Sequence, residues 1–441
     1  MATIAVLLFP GSNCELEALR SCKRVGMNTK LVRWNDTEVD LSSFDGFILP
    51  GGFSYEDRGR SGIIASKDPI FKKILAEADK GKALIGICNG AQMLVELGII
   101  PGVTTQKLDM ALAWNERIRD EKILGTGFYN DWINIKNSVT PGRCAFNNFS
   151  NNLVLRIPVA HGEGRYTTQI PGLLNEMIAQ ERTVFRYCDD SGNFTEGFPT
   201  NPNNAIYNLA GICNSDGNIM ALMPHPERTP IGDPIFTSMR EYIEQKKYTK
   251  IEAKKATTVW REKSISHYET TSDYQFRIKL IITDNEERTM EQAFRRIGFE
   301  DLRLMKQVWV DVTLSEKPQT PEAEKTLLEA IVRSNVMMNP NKETVKITAR
   351  DGRKFTYDTA KGIVADSTEE EIHTQGGIVV IDPDNYSGKG MAESLRKRYP
   401  QSNIKNIVKG TLWSIAGSKP LSEIIDTHLL HNPHSTEIYS L

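Results

Sequence analysis

The first 245 residues alternate short apolar runs with stretches of helical periodicity, and this alternation limits the fold more than any other feature. The runs TIAVLLF, FDGFILP and ALIGIC are each followed by a stretch that is typical of a helix. This order predicts an α/β fold with a mostly parallel, doubly wound sheet. Binding sites in such sheets lie at the carboxyl ends of the strands, where this chain has PGSN, PGGFSY and CNGA.

Cys88 lies where a predicted strand, Lys82–Ile87, turns into a predicted helix, Gly90–Leu97. Gly86 and Gly90 flank it as G-x-C-x-G, the spacing of the nucleophile elbow in which serine is common. Glycine has no Cβ, so the backbone can turn sharply there, and the start of a helix favours a thiolate. We interpret Cys88 as a candidate nucleophile. From this motif alone, a buried structural cysteine between two loop glycines is the alternative.

A thiol nucleophile needs a base, and the segment ALMPHPERTP offers one. His225 stands between two prolines at the exit of an apolar strand, and the prolines make this exit rigid. Glu227 can accept a hydrogen bond from the distal imidazole nitrogen and so set the tautomer. With Cys88, the segment predicts a Cys-His-Glu triad; a capped surface histidine in a proline-rich turn is the alternative for His225 alone.

Charge, hydropathy and cysteine spacing exclude several classes of protein. The 441 residues carry 54 basic and 56 acidic side chains, which gives no indication of nucleic-acid or membrane binding. No apolar run approaches the roughly 18 residues of a membrane span, and the short apolar start lacks a basic leader. The six cysteines form no C-x-x-C pair, which favours reduced thiols over disulfides or zinc. We therefore expect a cytoplasmic protein.

The chain beyond residue 246 reads as two diverged copies of one unit. Each copy has a strand, an Asp-Asn segment, a helix, a strand bearing Trp309 or Trp413, a second helix and a closing strand. Each is βαββαβ-like, an α+β unit too small to bury its sheet alone, so we expect the copies to pair face to face. The predicted boundaries are a first domain at 1–246, a linker at 247–274, a repeat at 275–347, a linker at 348–375 and a repeat at 376–441.

Three motifs, PGGFSY, GICNGAQ and MPHPER, resemble those of class I (triad) glutamine amidotransferases. The segments FPGSNCE, VAHGEGRY and NSDGNIMALMPHPER narrow the resemblance to the glutaminase subunits of phosphoribosylformylglycinamidine synthases. The resemblance covers most of residues 1–245. It implies that Cys88, His225 and Glu227 form a triad that hydrolyses glutamine through a glutamyl thioester and releases ammonia.

The same resemblance implies further site residues and a partner. Backbone N–H groups of Gly52 and Asn89 would hold the oxyanion, and Gly51 and Gln92 would contact glutamine. Glu56 stands where the family commonly has glycine, so the contacts of its loop are not carried over. The chain has no phosphate-cradling loop and is expected to hold no cofactor and no metal. ATP and Mg²⁺ would bind a separate synthetase, which uses the ammonia to convert formylglycinamide ribonucleotide to formylglycinamidine ribonucleotide in purine synthesis.

The two C-terminal copies are similar to the small, dimer-forming subunit of the same synthase, which bridges glutaminase and synthetase. Their tandem fusion departs from the usual pattern of separate subunits. Two other functions stay open at this point: a glutaminase that serves a different ATP-dependent synthetase, and a non-catalytic scaffold built from an amidotransferase fold and two association domains.

Overall fold

Two units make up the chain in the computed structural model, which describes residues 1–103, 108–245, 260, 262, 264–367 and 376–441. The first unit comprises Met1–Glu262 with Pro433–Ser435, and the second comprises Lys263–Asn432 with Thr436–Leu441. Most of the linker predicted at 247–274 lies outside the described residues, so its boundaries stay predictions.

The first unit contains thirteen strands and six α-helices in its described part. The strands are β1 (Thr3–Leu8), β2 (Asn28–Arg33), β3 (Gly46–Leu49), β4 (Ala83–Ile87), β5 (Ala111–Trp114), β6 (Glu116–Arg119), β7 (Lys122–Thr126), β8 (Tyr129–Asn137), β9 (Val154–His161), β10 (Glu163–Thr167), β11 (Phe185–Cys188), β12 (Leu209–Cys213) and β13 (Ile219–Leu222). The helices are α1 (Glu15–Arg24), α2 (Ile63–Ser66), α3 (Ile70–Ala78), α4 (Asn89–Glu96), α5 (Leu173–Ala179) and α6 (Asp233–Glu244).

Nine of these strands form one sheet in the order β2-β1-β3-β4-β13-β12-β11-β8-β9. The strands from β2 to β13 run parallel, whereas those from β13 to β9 pair antiparallel. The predicted α/β class is observed, and its parallel part is this first half. β3, β4 and β13 are buried at every position, as expected where a sheet is covered on both faces.

The second unit has a nine-stranded sheet of its own in the order β14-β22-β20-β21-β16-β15-β17-β18-β19. Its strands are β14 (Ser266–His267), β15 (Tyr274–Leu280), β16 (Arg303–Leu314), β17 (Glu343–Ala349), β18 (Lys354–Asp358), β19 (Ile363–Asp366), β20 (Gly376–Ile381), β21 (Ile404–Ala416) and β22 (Glu437–Ser440). Its helices are α7 (Asn285–Arg296), α8 (Pro321–Arg333), α9 (Tyr386–Arg398) and α10 (Leu421–Ile425).

The two repeats join edge to edge, so the expectation that they pair face to face is wrong. β16 of the first repeat pairs antiparallel with β21 of the second from Arg303↔Ala416 to Leu314↔Ile404. Each is one long strand between two helices, the Trp-bearing strand of its copy. The predicted linker at 348–375 contains β18 and β19, which extend the sheet; residues 368–375 lie outside the described part.

Both sides of the joined sheet carry apolar clusters. Side chains of α8 and α9, one helix from each repeat, share a cluster with β15, β16 and β17. Trp309, on the other face, packs with Leu412 of the second repeat and is fully buried. Continuing the sheet through β16 and β21 therefore lets the two small units share apolar clusters on both faces, whereas a unit of this size alone buries little apolar surface. Among the described residues, no helix has the length and hydropathy needed to cross a membrane.

Candidate active site

Three neighbouring parallel strands deliver the predicted site residues to one edge of the first sheet. β3 leads into Gly51 and Gly52, β4 leads into Cys88, and β13 leads into His225. Leu49 of β3 is in register with Gly86, and Leu222 of β13 is in register with Ile87. Strands in parallel register end together, so residues distant in sequence meet at their carboxyl ends.

Cys88 occupies a strained turn between β4 and α4, with φ +51° and ψ −105°. This conformation is rare for a residue with a side chain and costs about 1–3 kcal/mol. Both flanking glycines are required by space: a Cβ on Gly86 would lie 2.3 Å from the carbonyl oxygen of Gly90, and one on Gly90 would lie 2.1 Å from that of Leu49. The N–H of Cys88 donates to Leu222 O at 2.8 Å, which ties the elbow to β13.

His225 and Glu227 are buried and in direct contact. The distance from His225 Nδ1 to Glu227 Oε1 is 2.6 Å, and the two residues are 1% and 2% exposed. The backbone N–H of His225 donates to Pro158 O at 2.8 Å, and Ser21 Oγ donates to Glu227 O at 2.9 Å. Burial opposes the charged form of His225, but the Glu227 carboxylate and the Cys88 sulfur hold its pKa well above the usual range.

Nε2 is the ring nitrogen of His225 that Glu227 leaves available for proton exchange. This nitrogen is buried and has no hydrogen-bond partner among the described residues. Cys88 lies close enough to raise the pKa of the ring, and its Sγ is 3.7 Å from Ala160 O. A buried nitrogen left unpaired beside a thiol is suited to exchange a proton with a bound substrate.

A second histidine, His161, lies beside the triad. Oδ1 of Asn115 accepts from Gly164 N at 2.9 Å, and its Nδ2 donates to His161 O at 2.6 Å and lies 3.1 Å from His161 Nδ1. Nε2 of His161 is buried with no partner in the described part of the chain. Burial and the nearby charge of His225 lower the pKa of His161 to about 3, so it stays neutral and cannot act as a base near pH 7.

The residues predicted for the oxyanion hole and for glutamine surround the elbow. Gly52 has φ +152° and forms a β-bridge with Ser12. Gly51 lies against the imidazole, since a Cβ there would be 2.6 Å from His225 Cε1. Asn89 is the first residue of α4, and its Nδ2 donates to Gln92 Oε1 at 2.9 Å. Gln92 Nε2 donates to Glu163 O at 2.6 Å. Their roles toward substrate stay predictions.

Two carboxylates next to Gln92 escaped the sequence analysis. Asn89 Nδ2 is 3.3 Å from Asp57 Oδ1, and Ser61 N donates to Glu163 Oε2 at 3.3 Å. Burial raises the pKa of Glu163 to about 7, and the charge of Asp57 adds to this effect. Burial also raises the pKa of Asp57 to about 6. The motif VAHGEGRY includes Glu163, but only the fold brings it close to Asp57.

A cluster at the triad has the donor types of a metal site. Cys14, His225 and Glu227 each offer a ligand atom, and these atoms all lie within 4.8 Å of one another. Sulfur, imidazole and carboxylate are ligands of Zn²⁺. Arg228 Nη2, however, donates to Cys14 Sγ at 3.1 Å, and its positive charge opposes a second cation. We assign no metal to this cluster.

The fold and the site together are those of a class I glutamine amidotransferase, with a thiol at a strained elbow and a buried histidine–carboxylate pair beside it. The family described as "CobB/CobQ-like glutamine amidotransferase domain" matches residues 1–255, more than half of the chain. The chain therefore belongs to this glutamine amidotransferase family, as the motifs predicted.

Curated relatives give the particular type. The chain is 40% identical over 261 residues to phosphoribosylformylglycinamidine synthase subunit PurQ of Methanothrix thermoacetophila, covering 55% of this chain and 99% of that protein. It is 37% identical over 251 residues to the subunit of the same name from Pyrococcus furiosus, covering 55% of this chain and 99% of that protein. The solved structure of PurLQS from Thermotoga maritima is also similar, at 30% identity and a TM-score of 0.43, covering 55% of this chain and 100% of that one.

Proposed function

We propose that this chain is the glutaminase subunit of a phosphoribosylformylglycinamidine synthase, which hydrolyses glutamine and passes the ammonia to a separate synthetase. The relatives that share 35–40% identity with its first unit carry the name of this subunit. The observation that supports the chemistry is a buried His225–Glu227 pair whose imidazole interacts with the sulfur of Cys88, a cysteine held at a strained elbow.

The proposed mechanism assigns one task to each group. His225 takes the thiol proton, and the Cys88 thiolate attacks the side-chain carbonyl of glutamine. N–H groups of Gly52 and Asn89 stabilise the oxyanion, and the imidazolium gives its proton to the leaving nitrogen, so that ammonia departs and a thioester is left. Water, deprotonated by His225, then attacks the thioester; glutamate leaves and the thiol reforms. Glu227 holds the ring and stabilises its charge.

The proposed partner supplies everything that amide formation needs. The ATP-dependent synthetase would bind formylglycinamide ribonucleotide, ATP and Mg²⁺, while this chain would bind glutamine and no cofactor. Nothing in the charge balance favours nucleic acid or a membrane surface as a partner. Location in the cytoplasm stays a prediction.

The test replaces the nucleophile. Cys88→Ala should abolish glutamine-dependent formation of formylglycinamidine ribonucleotide by the reconstituted complex and leave activity with free ammonia intact, because only thioester chemistry is lost. An electrophilic glutamine analogue should label Cys88 in the native chain. Equal loss of both activities, or strong labelling at Cys14 or Cys144 instead, contradicts the proposal.

The two alternative functions are separated by the partner. Purification of the native complex identifies the ATP-dependent chain that binds. If that synthetase acts on another substrate, this chain is a glutaminase that serves a different synthetase. A complex that forms but never hydrolyses glutamine would favour the scaffold.

A further inference from the structure

Cys14, the residue that precedes α1, is a buried thiol beside His225 with no role in the mechanism above. It is 1% exposed, and its Sγ lies 3.9 Å from His225 Nδ1. Its backbone N–H donates to Gly51 O at 3.2 Å. A Cβ on Gly51 would meet both His225 Cε1, at 2.6 Å, and Cys14 Sγ, at 3.2 Å. Cys14, Gly51 and the imidazole are therefore packed with no room for another atom.

The sulfur of Cys14 is held from both sides. It accepts a hydrogen bond from Arg228 Nη2 at 3.1 Å and donates one to Asn13 Oδ1 at 3.2 Å. A thiol makes one donor and one acceptor contact in this way and is satisfied as it stands. Among the described residues, Cys14 Sγ is the acceptor that holds the guanidinium of Arg228.

The position of that guanidinium matters because Arg228 directly follows Glu227 in the chain. Glu227 Oε1 contacts His225 Nδ1, and its Oε2 is buried without a hydrogen-bond partner in the described residues. Guanidinium and carboxylate form strong two-pronged pairs, so a released Arg228 would compete with His225 for Glu227. A positive charge there would also repel the imidazolium.

We propose that Cys14 is a positioning residue: its sulfur retains Arg228 and packs against the imidazole, so that Glu227 serves His225 alone. This inference rests on the proposed glutaminase function. The titratable groups that interact with His225 are Glu227 from its own turn, Cys88 from the elbow, Cys14 from the start of α1 and His161 from the end of β9. Arg228 interacts with Cys14, Glu227 and Cys88. Arg228 is the group whose location depends on Cys14.

The experiment uses the full chain and measures the rate at which an electrophilic glutamine analogue labels Cys88 as a function of pH, together with kcat and KM for glutamine in the complex. In Cys14→Ala, the limb of the profile that belongs to His225 should move to lower pH. The value of kcat above that limb should fall roughly tenfold, because Glu227 is shared with Arg228 and orients the imidazole less well. KM should change less. Histidine ¹⁵N resonances should report the same displacement directly.

Matched variants separate positioning from packing. Cys14→Ser keeps an acceptor for Arg228 and should recover most of the native profile. Cys22→Ala removes another fully buried thiol from α1 and should leave the profile unchanged. Arg228→Met removes the competing charge, so Cys14→Ala/Arg228→Met should return the limb toward its native pH.

Two outcomes would overturn the inference: a native profile in folded Cys14→Ala, or a double variant as displaced as Cys14→Ala alone. If Cys14→Ala fails to fold, Arg228→Met alone tests the inference. A His225 limb displaced to lower pH in Arg228→Met would contradict competition between Arg228 and His225 for Glu227. Failure of the native chain to label at Cys88 would instead contradict the proposed function.

Discussion

Glu227 contacts His225 through a single oxygen. In the proposed mechanism His225 moves the proton and Glu227 only orients and stabilises the ring, so substitutions of the two residues should have different effects on catalysis. His225→Ala should lower kcat/KM for glutamine by about 10²–10⁴-fold, the usual contribution of a general base. Glu227→Gln should lower it less, because the imidazole is retained and only its orientation and charge stabilisation are weakened.

The control for this comparison is Glu77→Gln, which removes a buried carboxylate of α3 that pairs with Lys80 and Lys82. It should alter the unfolding temperature and leave kcat/KM unchanged. A silent Glu227→Gln would mean that another acid supports His225.

The neighbouring carboxylates predict a dependence of stability on pH. The pKa of Glu163 rises from its ordinary 4.5 to about 7 on folding, so the unfolded chain releases this proton at lower pH than the folded chain does. The contribution of Glu163 is therefore favourable below pH 4.5 and is lost as pH rises through about 7. Glu163→Gln should raise the free energy of unfolding at pH 8 by roughly 1–3 kcal/mol and change it little at pH 4.5.

Urea unfolding of the native chain and the variant across this pH range measures the effect. Asp57→Asn is the matched variant: because the charge of Asp57 helps to raise the pKa of Glu163, its removal should move the pH dependence of the chain to lower pH. Parallel curves for the native chain and Glu163→Gln would show that folding does not raise the pKa of Glu163.

At the scale of single residues, the sequence predicted the groups that stand in local motifs. Cys88, His225 and Glu227 each stand in a short segment with its own steric signal, and the structure brings them to one edge of the sheet. Cys14 and Asp57 have no such signal, because their contacts with His225 and Glu163 join residues more than one hundred positions apart. Only the strand order creates those contacts.

The elbow can be tested as an element by comparing two helical glycines. Alanine is preferred over glycine in a helix by about 1 kcal/mol, so propensity alone favours Gly→Ala in both α4 and α9. At Gly390 of α9 a Cβ would meet nothing within 4 Å, whereas at Gly90 it would lie 2.1 Å from Leu49 O. Gly390→Ala should stabilise its unit by about 0.5–1 kcal/mol, and Gly90→Ala should destabilise by several kcal/mol.

Thermal unfolding and labelling of Cys88 measure the two effects. Gly90→Ala should also slow labelling of Cys88 by the glutamine analogue, because the backbone must move away from β3 and this movement displaces the thiol. Stabilisation by Gly90→Ala would show that the elbow has room to relax and that the glycine pattern is not steric.

The sequence predicted the bounds of elements with strong periodicity better than it predicted which strands pair and in which direction. The predicted strand at 82–87 and helix at 90–97 correspond to β4 and α4 within one residue. The antiparallel half of the first sheet was not foreseen, because an apolar strand has the same pattern in either direction once both faces are covered. The strands β18 and β19 lie in a polar segment, and their pairing partner decides their conformation.

At the scale of the molecule, the repeats act through a shared sheet. Twelve residues of β16 pair with β21, so separating the copies would expose two long strand edges and the apolar clusters on both faces. Covalent linkage keeps the partner at an effective concentration on the order of millimolar. The second unit should therefore fold and unfold as one module, and its resemblance to a bridging subunit predicts that it docks the synthetase.

A chain that ends at Gln245 tests this role. The first unit has its own extensive core, and its triad draws on residues before this point, so the shortened chain should stay folded and be labelled at Cys88 by the glutamine analogue. Its unfolding temperature should fall by a few degrees, because His434, which groups with the first unit, accepts from Gln169 N and contacts Leu108 O. It should no longer bind the synthetase or gain activity from it, measured by co-sedimentation and by glutamine turnover. Normal binding and activation by the shortened chain would contradict the docking role.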